Sequence, residues 1–140
     1  LTNETRVINN HTLYRIKALK DFADVKAGTL GGFIEKEDNL SHDGNCWVYD
    51  EALVFKNGHV YENARVYDNA IIAGYVYDNA YVYDNARVYE NARIANNVHV
   101  YENANIHGIA VIRENVGGFT KIKTYTERLS PYSELEIVWV

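Results

Sequence analysis

Sulfur is scarce in this sequence, which contains one cysteine and no methionine in 140 residues. A disulfide requires two cysteines, so Cys46 alone excludes an internal disulfide, and it leaves too few sulfur ligands for a zinc cluster. Long apolar runs are also missing, because no stretch approaches the roughly 20 apolar residues of a membrane-spanning helix. The sequence therefore predicts a protein with no disulfide, no zinc cluster and no membrane span.

Basic residues are outnumbered, with 14 lysines and arginines against 19 aspartates and glutamates and a formal net charge of -5. This field opposes binding to a phosphate backbone, which argues against a nucleic-acid partner and favours a basic one. The amino-terminal LTNETRVINN lacks the basic-then-apolar pattern of a signal peptide. We expect a soluble cytoplasmic protein, and its length suits one domain.

Tyrosine is abundant, with 12 copies, and most of them lie in a six-residue repeat whose clearest stretch is VYDNAYVYDNARVYENAR from residue 76. Six residues turn a helix by about 240°, which scatters the repeated aliphatic side chains, whereas a strand has a period of two and keeps them on one side. The repeat therefore predicts extended structure with one aliphatic residue of each hexad pointing inward. These residues are Val48, Val54, Val60, Val66, Ile72, Val76, Val82, Val88, Ile94, Val100, Ile106 and Ile112.

A small residue follows nine of these twelve aliphatic residues by four positions, at even spacing, and is therefore also predicted to point inward. Asn usually precedes the small residue, as at Asn63, Asn69 and Asn85, and Asn tolerates the backbone conformations of a bend. Each hexad is thus a short strand and a corner. Units this short must stack on their neighbours to form a core, which predicts a parallel β-solenoid.

An aliphatic residue followed four positions later by a small one resembles the hexapeptide-repeat family, and the match covers residues 40–116. The resemblance implies three hexads per coil and a left-handed, triangular β-helix. With TLYRIKALKDF and LGGFIEKEDNLS before the hexads, the chain is similar to hexapeptide-repeat proteins of bacteriophages and prophages, which are often labelled transferases by analogy. The expected fold is all-β: a left-handed parallel β-helix at 40–116, a β cap at 1–39 and a strand segment at 117–140.

The two ends are predicted to be strand caps that cover the open edges of the solenoid. TRVINNHTLYRIKAL indicates a hairpin around Asn9 and Asn10, and Gly31 and Gly32 are expected to supply backbone freedom at the entry to the first coil. FTKIKTYTERLSPYSELEIVWV indicates two strands around Pro131. We also expect a terminal segment to cover four outward apolar residues of one face: Leu53, Phe55, Ile71 and Ala73.

Between Ile72 and Val76 the spacing falls to four, which preserves the inward and outward identity of every residue. With three hexads per coil, the first face stacks segments 47–50, 65–68, 81–84 and 99–102. The second face stacks segments 59–62, 75–78, 93–96 and 111–114. The third stacks segments 53–56, 71–74, 87–90 and 105–108.

The resemblance to the hexapeptide-repeat family implies two candidate kinds of chemistry. One is acyl transfer with a histidine base near a protruding loop, and the other uses zinc held by histidines across a subunit boundary. The repeat has no loop insertion, and His59, His99 and His107 are predicted on three different faces as ordinary surface residues. His11 and His42 are predicted in turns. We therefore expect no catalytic residue, metal or cofactor. The alternative is a CoA-dependent acyltransferase with its site between subunits.

The first face is the predicted contact surface, because tyrosine and tryptophan concentrate at interaction sites. Stacked tyrosines also stabilise neighbouring strands, and an acidic column can simply be solvated or can be relieved by a cation, an arginine or a basic partner. The expected partner is a protein, either a second copy in a dimer or trimer or a host protein whose defence function is inhibited. The predicted contact residues are Trp47, Tyr49, Tyr67, Tyr81, Tyr83, Tyr101, Asp50, Asp68, Asp84 and Glu102. Cys46 is predicted to lie in the core.

Overall fold

The structure is a computed structural model that describes residues 1–118, 120–124 and 136–139, with side chains described up to residue 118. Its regular elements within these ranges are strands, apart from one short 3-10 helix at Glu37–Asn39. In the same ranges no helix is long and apolar enough to cross a membrane. The strands are β1 (Thr5–Ile8), β2 (His11–Lys17), β3 (Leu30–Ile34), β4 (Trp47–Val48), β5 (Leu53–Val54), β6 (His59–Val60), β7 (Arg65–Val66), β8 (Ile71–Ile72), β9 (Tyr75–Val76), β10 (Tyr81–Val82), β11 (Arg87–Val88), β12 (Arg93–Ile94), β13 (His99–Val100), β14 (Asn105–Gly108), β15 (Val111–Ile112), β16 (Thr120–Thr124) and β17 (Glu136–Trp139).

The amino-terminal strands form the predicted hairpin, in which β1 pairs antiparallel with β2. Asn9 and Asn10 occupy its two central turn positions with φ of 48° and 67°. Positive φ at both positions matches the right-handed twist of the flanking strands, and Asn tolerates that conformation. β2 continues antiparallel to β3, with an irregularity between Arg15 and Lys17, and β3 runs parallel to β5. The hairpin is therefore continuous with the solenoid.

Gly31 and Gly32 are required by close packing. Neither has a positive φ, so the expectation that they supply backbone freedom is wrong. A Cβ on Gly31 would lie 2.5 Å from the carbonyl oxygen of Val48, and one on Gly32 would collide with the carbonyl oxygen of Ala52. These two residues let the chain pass directly over the end of the first coil.

Each coil of the β-solenoid contains three short strands, and each strand pairs in parallel with the strand three further along the chain. This is the predicted register. The first face is β4-β7-β10-β13, the second is β6-β9-β12-β15, and the third belongs to a nine-stranded sheet that also includes β1 to β3, β16 and β17. Val48, Val66, Val82 and Val100 pair in one column along the first face. The fold is therefore all-β, as the hexad period predicts.

The interior consists of the predicted aliphatic and small residues. The inward valines and isoleucines from Val48 to Ile106 are fully buried, and Ala52, Ala64, Ala70, Ala80, Ala86, Ala92, Ala104 and Ala110 are fully buried between them. Cys46 is buried as well. Large and small side chains alternate around most of the coils, a pattern that suits close packing of a narrow interior.

Asn lies at the corners, but the left-handed conformation usually falls on the residue before it. Asp68 and Asp84 have φ of 59° and 58°. The Asn that follows contributes a backbone hydrogen bond to the next coil. The N–H of Asn69 donates to the carbonyl of Asp84 in the next coil at 2.9 Å, and the N–H of Asn85 donates to Glu102 at 2.9 Å.

The short corner between Ile72 and Val76 keeps both residues fully buried, as the even spacing predicts. Gly74 takes the inward position of the small residue that precedes each strand, since the backbone N–H of His59 donates to its carbonyl as that of Arg65 does to Ala80. A Cβ there would lie 2.8 Å from the carbonyl oxygen of Ala92, so the shortened corner presses against the next coil. One coil is therefore two residues shorter than the others, and its inward side chains remain buried.

The outward apolar residues of the third face form a second hydrophobic cluster, as predicted. Leu53, Phe55 and Ala73 are buried together with Leu13 and Phe33, and Ile8 and Ile71 pack against them. Leu13 and Ile8 belong to the amino-terminal hairpin, so that terminal segment contributes to the cover. At the other end β16 pairs parallel with β14 and antiparallel with β17, which confirms the two predicted strands. Pro131 lies outside the described residues.

Candidate protein-contact site on the first face

One tyrosine follows each inward valine of the first face, and together they form a continuous column that we name the tyrosine column: Tyr49, Tyr67, Tyr83 and Tyr101. Successive ring centroids are 5.8, 5.1 and 5.7 Å apart. The Tyr67 and Tyr83 rings are nearly parallel, at an angle of 4°, whereas Tyr49 meets Tyr67 edge-on at 81°. The predicted column is therefore confirmed as a set of neighbouring rings on one side of the solenoid.

A second column lies on the other side of the same valines and contains Trp47, Arg65, Tyr81 and His99. The Tyr81 and His99 rings stack with centroids 4.6 Å apart. The Tyr83 hydroxyl lies 3.2 Å from Nδ1 of His99, which joins the two columns by a hydrogen bond. The last two rungs of the face, β10 and β13, thus form one connected aromatic surface.

The loop between β2 and β3 covers the amino-terminal end of this face. Phe22 contacts Trp47 edge-on with ring centroids 5.4 Å apart, and Trp47 is only 6% exposed. Asp24 accepts a hydrogen bond from the Tyr49 hydroxyl at 2.9 Å and lies 3.9 Å from Arg65. Because this loop seals the first coil, Trp47 offers no surface to a partner. The open aromatic surface is Tyr67, Tyr81, Tyr83, His99 and Tyr101, which are all half-buried.

Burial raises the pKa of Tyr67 and of Tyr83, and neighbouring tyrosines and acidic groups add to the effect. Burial also raises the pKa of Tyr49, with a further contribution from its hydrogen bond to Asp24. These phenols are therefore neutral near pH 7. They present apolar rings and hydroxyl donors beside the acidic corner without adding negative charge.

The predicted acidic column lies at the corner beside the tyrosines and is tied into the backbone of the next coil. Oδ2 of Asp50 accepts the backbone N–H of Asp68 at 3.1 Å, and Oδ2 of Asp68 accepts that of Asp84 at 3.1 Å. Oδ2 of Asp84 accepts the N–H of Glu102 at 3.0 Å. We name this arrangement the carboxylate ladder. Its N–H donors relieve part of the repulsion between like charges.

A shallow groove of about 520 Å³ follows the carboxylate ladder. Its lining is entirely acidic or amide: Asp50, Glu51, Asp68, Asn69, Asp84, Asn85, Glu102 and Asn103. Arg15 closes one end, where its guanidinium donates to the carbonyl oxygen of Asp50 at 3.2 Å and lies 3.1 Å from the Glu51 carboxylate. Away from Arg15, the groove favours positively charged groups.

The second face lacks a comparable surface, although it is built from the same hexads. Tyr61 and Tyr77 stack with centroids 4.9 Å apart, but Ala95 and Arg113 follow them in that column. Asp78 makes the same ladder contact as the first-face acids and accepts the N–H of Asn96 at 3.0 Å. The second face therefore provides matched control positions for the first.

The repeat histidines lie on three different faces, as predicted. The expectation that they are ordinary surface residues is wrong for His107, which is only 8% exposed. Its Nδ1 lies 3.2 Å from Glu90, and its ring stacks on Tyr89 with centroids 4.9 Å apart. Among the described residues, no three His, Cys, Asp or Glu side chains are placed to hold a metal ion.

His11 is also placed differently from the expectation of a turn, since it is the first residue of β2. Its Nδ1 lies 2.6 Å from the Glu35 carboxylate, and this hydrogen bond lowers the pKa of Glu35. His42 is exposed in an irregular segment. His11 therefore ties the hairpin to the chain that enters the solenoid.

Two contacts in the structure are not among the predictions from the sequence, for different physical reasons. The stacking of Tyr89 on His107 follows from the predicted register, in which segment 87–90 lies over segment 105–108, so that signal was available. The position of Arg15 beside Asp50 and Glu51 had no signal, because 35 residues separate Arg15 from Asp50 and no repeat relates them. Contacts within the solenoid are periodic, and contacts with its caps are not.

No protein-family model matches the chain. The chain is similar to a protein of Escherichia coli (strain K12) described as the uncharacterized acetyltransferase YdcK, with 47% identity over 49 residues. The similarity covers 35% of this chain, and the chain spans only 15% of that relative's length. The partial similarity to an acetyltransferase and the β-solenoid of stacked hexads together fit a hexapeptide-repeat, transferase-like protein.

Proposed function

We propose that the chain is a binding module whose first face holds another protein through the tyrosine column and the carboxylate ladder. The observation that supports this is the set of half-exposed stacked rings at Tyr67, Tyr83 and Tyr101 beside the acidic groove. Rigid aromatic rings lose little conformational entropy on binding and concentrate at interaction sites. The neutral hydroxyl of Tyr67 supplies a hydrogen-bond donor, and the neighbouring acids select a partner of positive charge.

A basic partner is favoured over a second copy of the chain. In a two-fold symmetric dimer the same patch meets itself, so two carboxylate ladders would be brought close together. Like charges facing each other across an interface lower its stability. The resemblance to phage-type hexapeptide proteins adds a host protein as the candidate partner, and that part of the proposal rests on the resemblance alone.

The test compares paired tyrosine variants on two faces. The first-face variant is Tyr67→Ala with Tyr83→Ala, and the matched control is Tyr61→Ala with Tyr77→Ala on the second face. We expect both variants to fold, and only the first to lose proteins captured from a bacterial lysate. Light scattering of each purified variant reports self-association in parallel. Equal capture and equal mass for wild type and the first-face variant would remove the first face as the contact surface.

Acyl transfer is the second candidate, and the acetyltransferase similarity over 49 residues favours it. His107 has part of the geometry of a general base, because Glu90 orients its Nδ1. Its Nε2 is buried and has no hydrogen-bond partner among the described residues. Calorimetry with acetyl-CoA separates the two candidates. Saturable binding by the wild-type protein would favour acyl transfer, and an absence of binding at millimolar concentration would favour the binding module.

A further inference from the structure

The ring-to-ring distances of the tyrosine column are close to the pitch of an α-helix, and the rungs that carry the rings repeat every 4.8 Å or so, about 0.6 Å less than one helical turn. The ring centroids are separated by 5.8, 5.1 and 5.7 Å, and an α-helix rises about 5.4 Å per turn. An extended segment repeats its same-side residues every 6.6 Å or so, which drifts out of register within two or three rungs. A helix laid across the rungs can therefore place one side chain per turn between successive rings.

The size of the surface also suits a single helix. Four rungs of about 4.8 Å by a strand face of about 15 Å give a footprint of roughly 300 Å². A standard interface between folded proteins buries about 800 Å² on each partner. The loop over Trp47 reduces the open aromatic part further. The first face is thus too small to hold a globular surface alone, but three helical turns, about 16 Å, cover its length.

Charge then determines which side of the helix faces the corner. Asp68, Asp84 and Glu102 occupy successive rungs beside the rings, so they repeat once per rung, every 4.8 Å or so, which stays within about 2 Å of helical turns over three rungs. The carboxylate ladder holds Oδ2 of Asp68 and of Asp84 on backbone N–H groups, which fixes the orientation of these acids. Lysine or arginine at every third or fourth position of a helix forms a stripe of matching period.

We propose that the first face binds a basic amphipathic α-helix that lies along the solenoid axis, with its basic stripe on the carboxylate ladder and its apolar stripe on the tyrosine column. This inference rests on the proposed function and specifies the partner of the same surface. Strand addition is not available at the last rung of this sheet, because Val116 already pairs with Val100 there.

The test uses fluorescent peptides of about 18 residues, long enough for helix formation. The probe carries lysines in one stripe and leucines in the adjacent stripe of an alanine-rich helix. One control has the same composition with the lysines distributed on all sides of the helix. The other keeps the probe pattern with a central proline, which breaks the helix. We expect the probe to bind at least about 10-fold more tightly than either control.

Variants of the protein locate the binding. Asp68→Asn with Asp84→Asn removes charge but keeps an oxygen that can accept the ladder N–H bonds, and we expect about 10-fold weaker binding of the probe. Glu62→Gln with Asp78→Asn removes the same number of charges from the corresponding corner of the second face and is expected to have no effect. Circular dichroism of each variant verifies the fold, so weaker binding reports the missing charges.

The outcomes separate this inference from the proposed function. Equal binding of the probe and the lysine-distributed control would mean that only net charge matters, and equal binding of the proline control would exclude a helix. Either result, or no binding by any peptide, overturns the helix inference. If the Tyr67→Ala, Tyr83→Ala variant nevertheless fails to capture the lysate proteins that the wild type captures, the proposed function stands and only the helix inference fails. If neither assay depends on the first face, both fail.

Discussion

Inward residues of the hexads tolerate almost no change in polarity, because each lies in a column of identical neighbours. Val82 is fully buried between Val66 and Val100, which pair with it on either side. Water has no access to this column, and the nearest side chains carry no hydrogen-bonding groups. A charged group placed here would therefore lack both solvent and a partner.

Val82→Asp is expected to unfold the protein. Burying an unpaired carboxylate costs several kcal/mol or more, which is comparable to the about 5–15 kcal/mol that stabilises a whole domain. Thermal unfolding followed by circular dichroism measures the effect. The control is Tyr81→Asp, one residue earlier on the half-exposed outward side, which should still fold. A soluble, cooperatively folded Val82→Asp variant would contradict the inward assignment.

Cys46 is expected to be unreactive in the folded protein. Burial raises the pKa of its thiol from 9.0 to about 11, and the thiolate is the reactive form. Iodoacetamide at pH 8 should therefore label the native protein slowly and the urea-unfolded protein quickly. Rapid, complete labelling under native conditions would contradict the buried position.

The raised pKa of the Cys46 thiol also determines how the stability of the folded protein changes with pH. The folded state holds the Cys46 proton more tightly than the unfolded state does, so the contribution is fully present below pH 9.0 and is lost as pH rises toward about 11. Cys46→Ala should remove this part of the alkaline loss. The raised pKa values of Tyr67 and Tyr83 act in the same direction at higher pH, so comparison with the variant is needed to isolate the thiol.

At the scale of the elements, the corners at Asp50, Asp68, Asp78 and Asp84 are small structural units in which one acid has two functions. Asp68 takes the left-handed conformation, with φ of 59°, and its carboxylate accepts the N–H of Asp84. Asn tolerates left-handed backbone better than Ala does and retains an acceptor oxygen. The corner therefore depends on an oxygen at this position more than on a charge.

Asp68→Asn is expected to leave the free energy of unfolding within about 0.5 kcal/mol of wild type, or to raise it by relieving charge repulsion. Asp68→Ala is expected to lower it by about 1–2 kcal/mol, through the lost hydrogen bond and the strained left-handed alanine. Urea denaturation of both variants measures the difference. Equal losses for Asn and Ala would show that the carboxylate charge, and not the ladder bond, stabilises the corner.

The rungs could be predicted from the sequence because their period is regular. A repeat of six is commensurate with the strand period of two, so the stacking of Tyr67 on Tyr83 and the burial of Val82 follow from counting residues. The corner hydrogen bonds could not be predicted, since the period does not show that the left-handed residue precedes Asn. Asn39 illustrates the limit, because its amide donates to the carbonyl oxygen of Gly58 at 2.8 Å, a contact between the 3-10 helix and the first coil that no repeat predicts.

At the scale of the whole molecule, the contact surface depends on parts of the chain outside the repeat. The loop that carries Phe22 and Asp24 determines how much of the first face is open, and Arg15 closes one end of the groove. These contacts join segments related by neither period nor proximity in sequence. The period therefore predicted the face, while the nonrepetitive cap determines which part of it can be reached.

The amino-terminal hairpin is expected to unfold together with the solenoid as one cooperative unit. Leu13 is fully buried in the cluster that includes Leu53 and Phe55 of the third face, whereas Val7 on the same hairpin is 67% exposed. Leu13→Ser should lower the free energy of unfolding by about 3 kcal/mol, since it removes apolar contacts and buries a hydroxyl. Val7→Ser should change it by no more than about 0.5 kcal/mol.

Calorimetry distinguishes one unit from two. If the hairpin and the solenoid are coupled, Leu13→Ser moves a single transition to lower temperature, because loss of the hairpin exposes Leu53 and Phe55 to water. If the hairpin were independent, a separate early transition would appear while the main transition stayed in place. The continuous sheet from β1 through β3 and β5 predicts the first result, because the hydrogen bonds of β3 with β5 join the cap to the first coil.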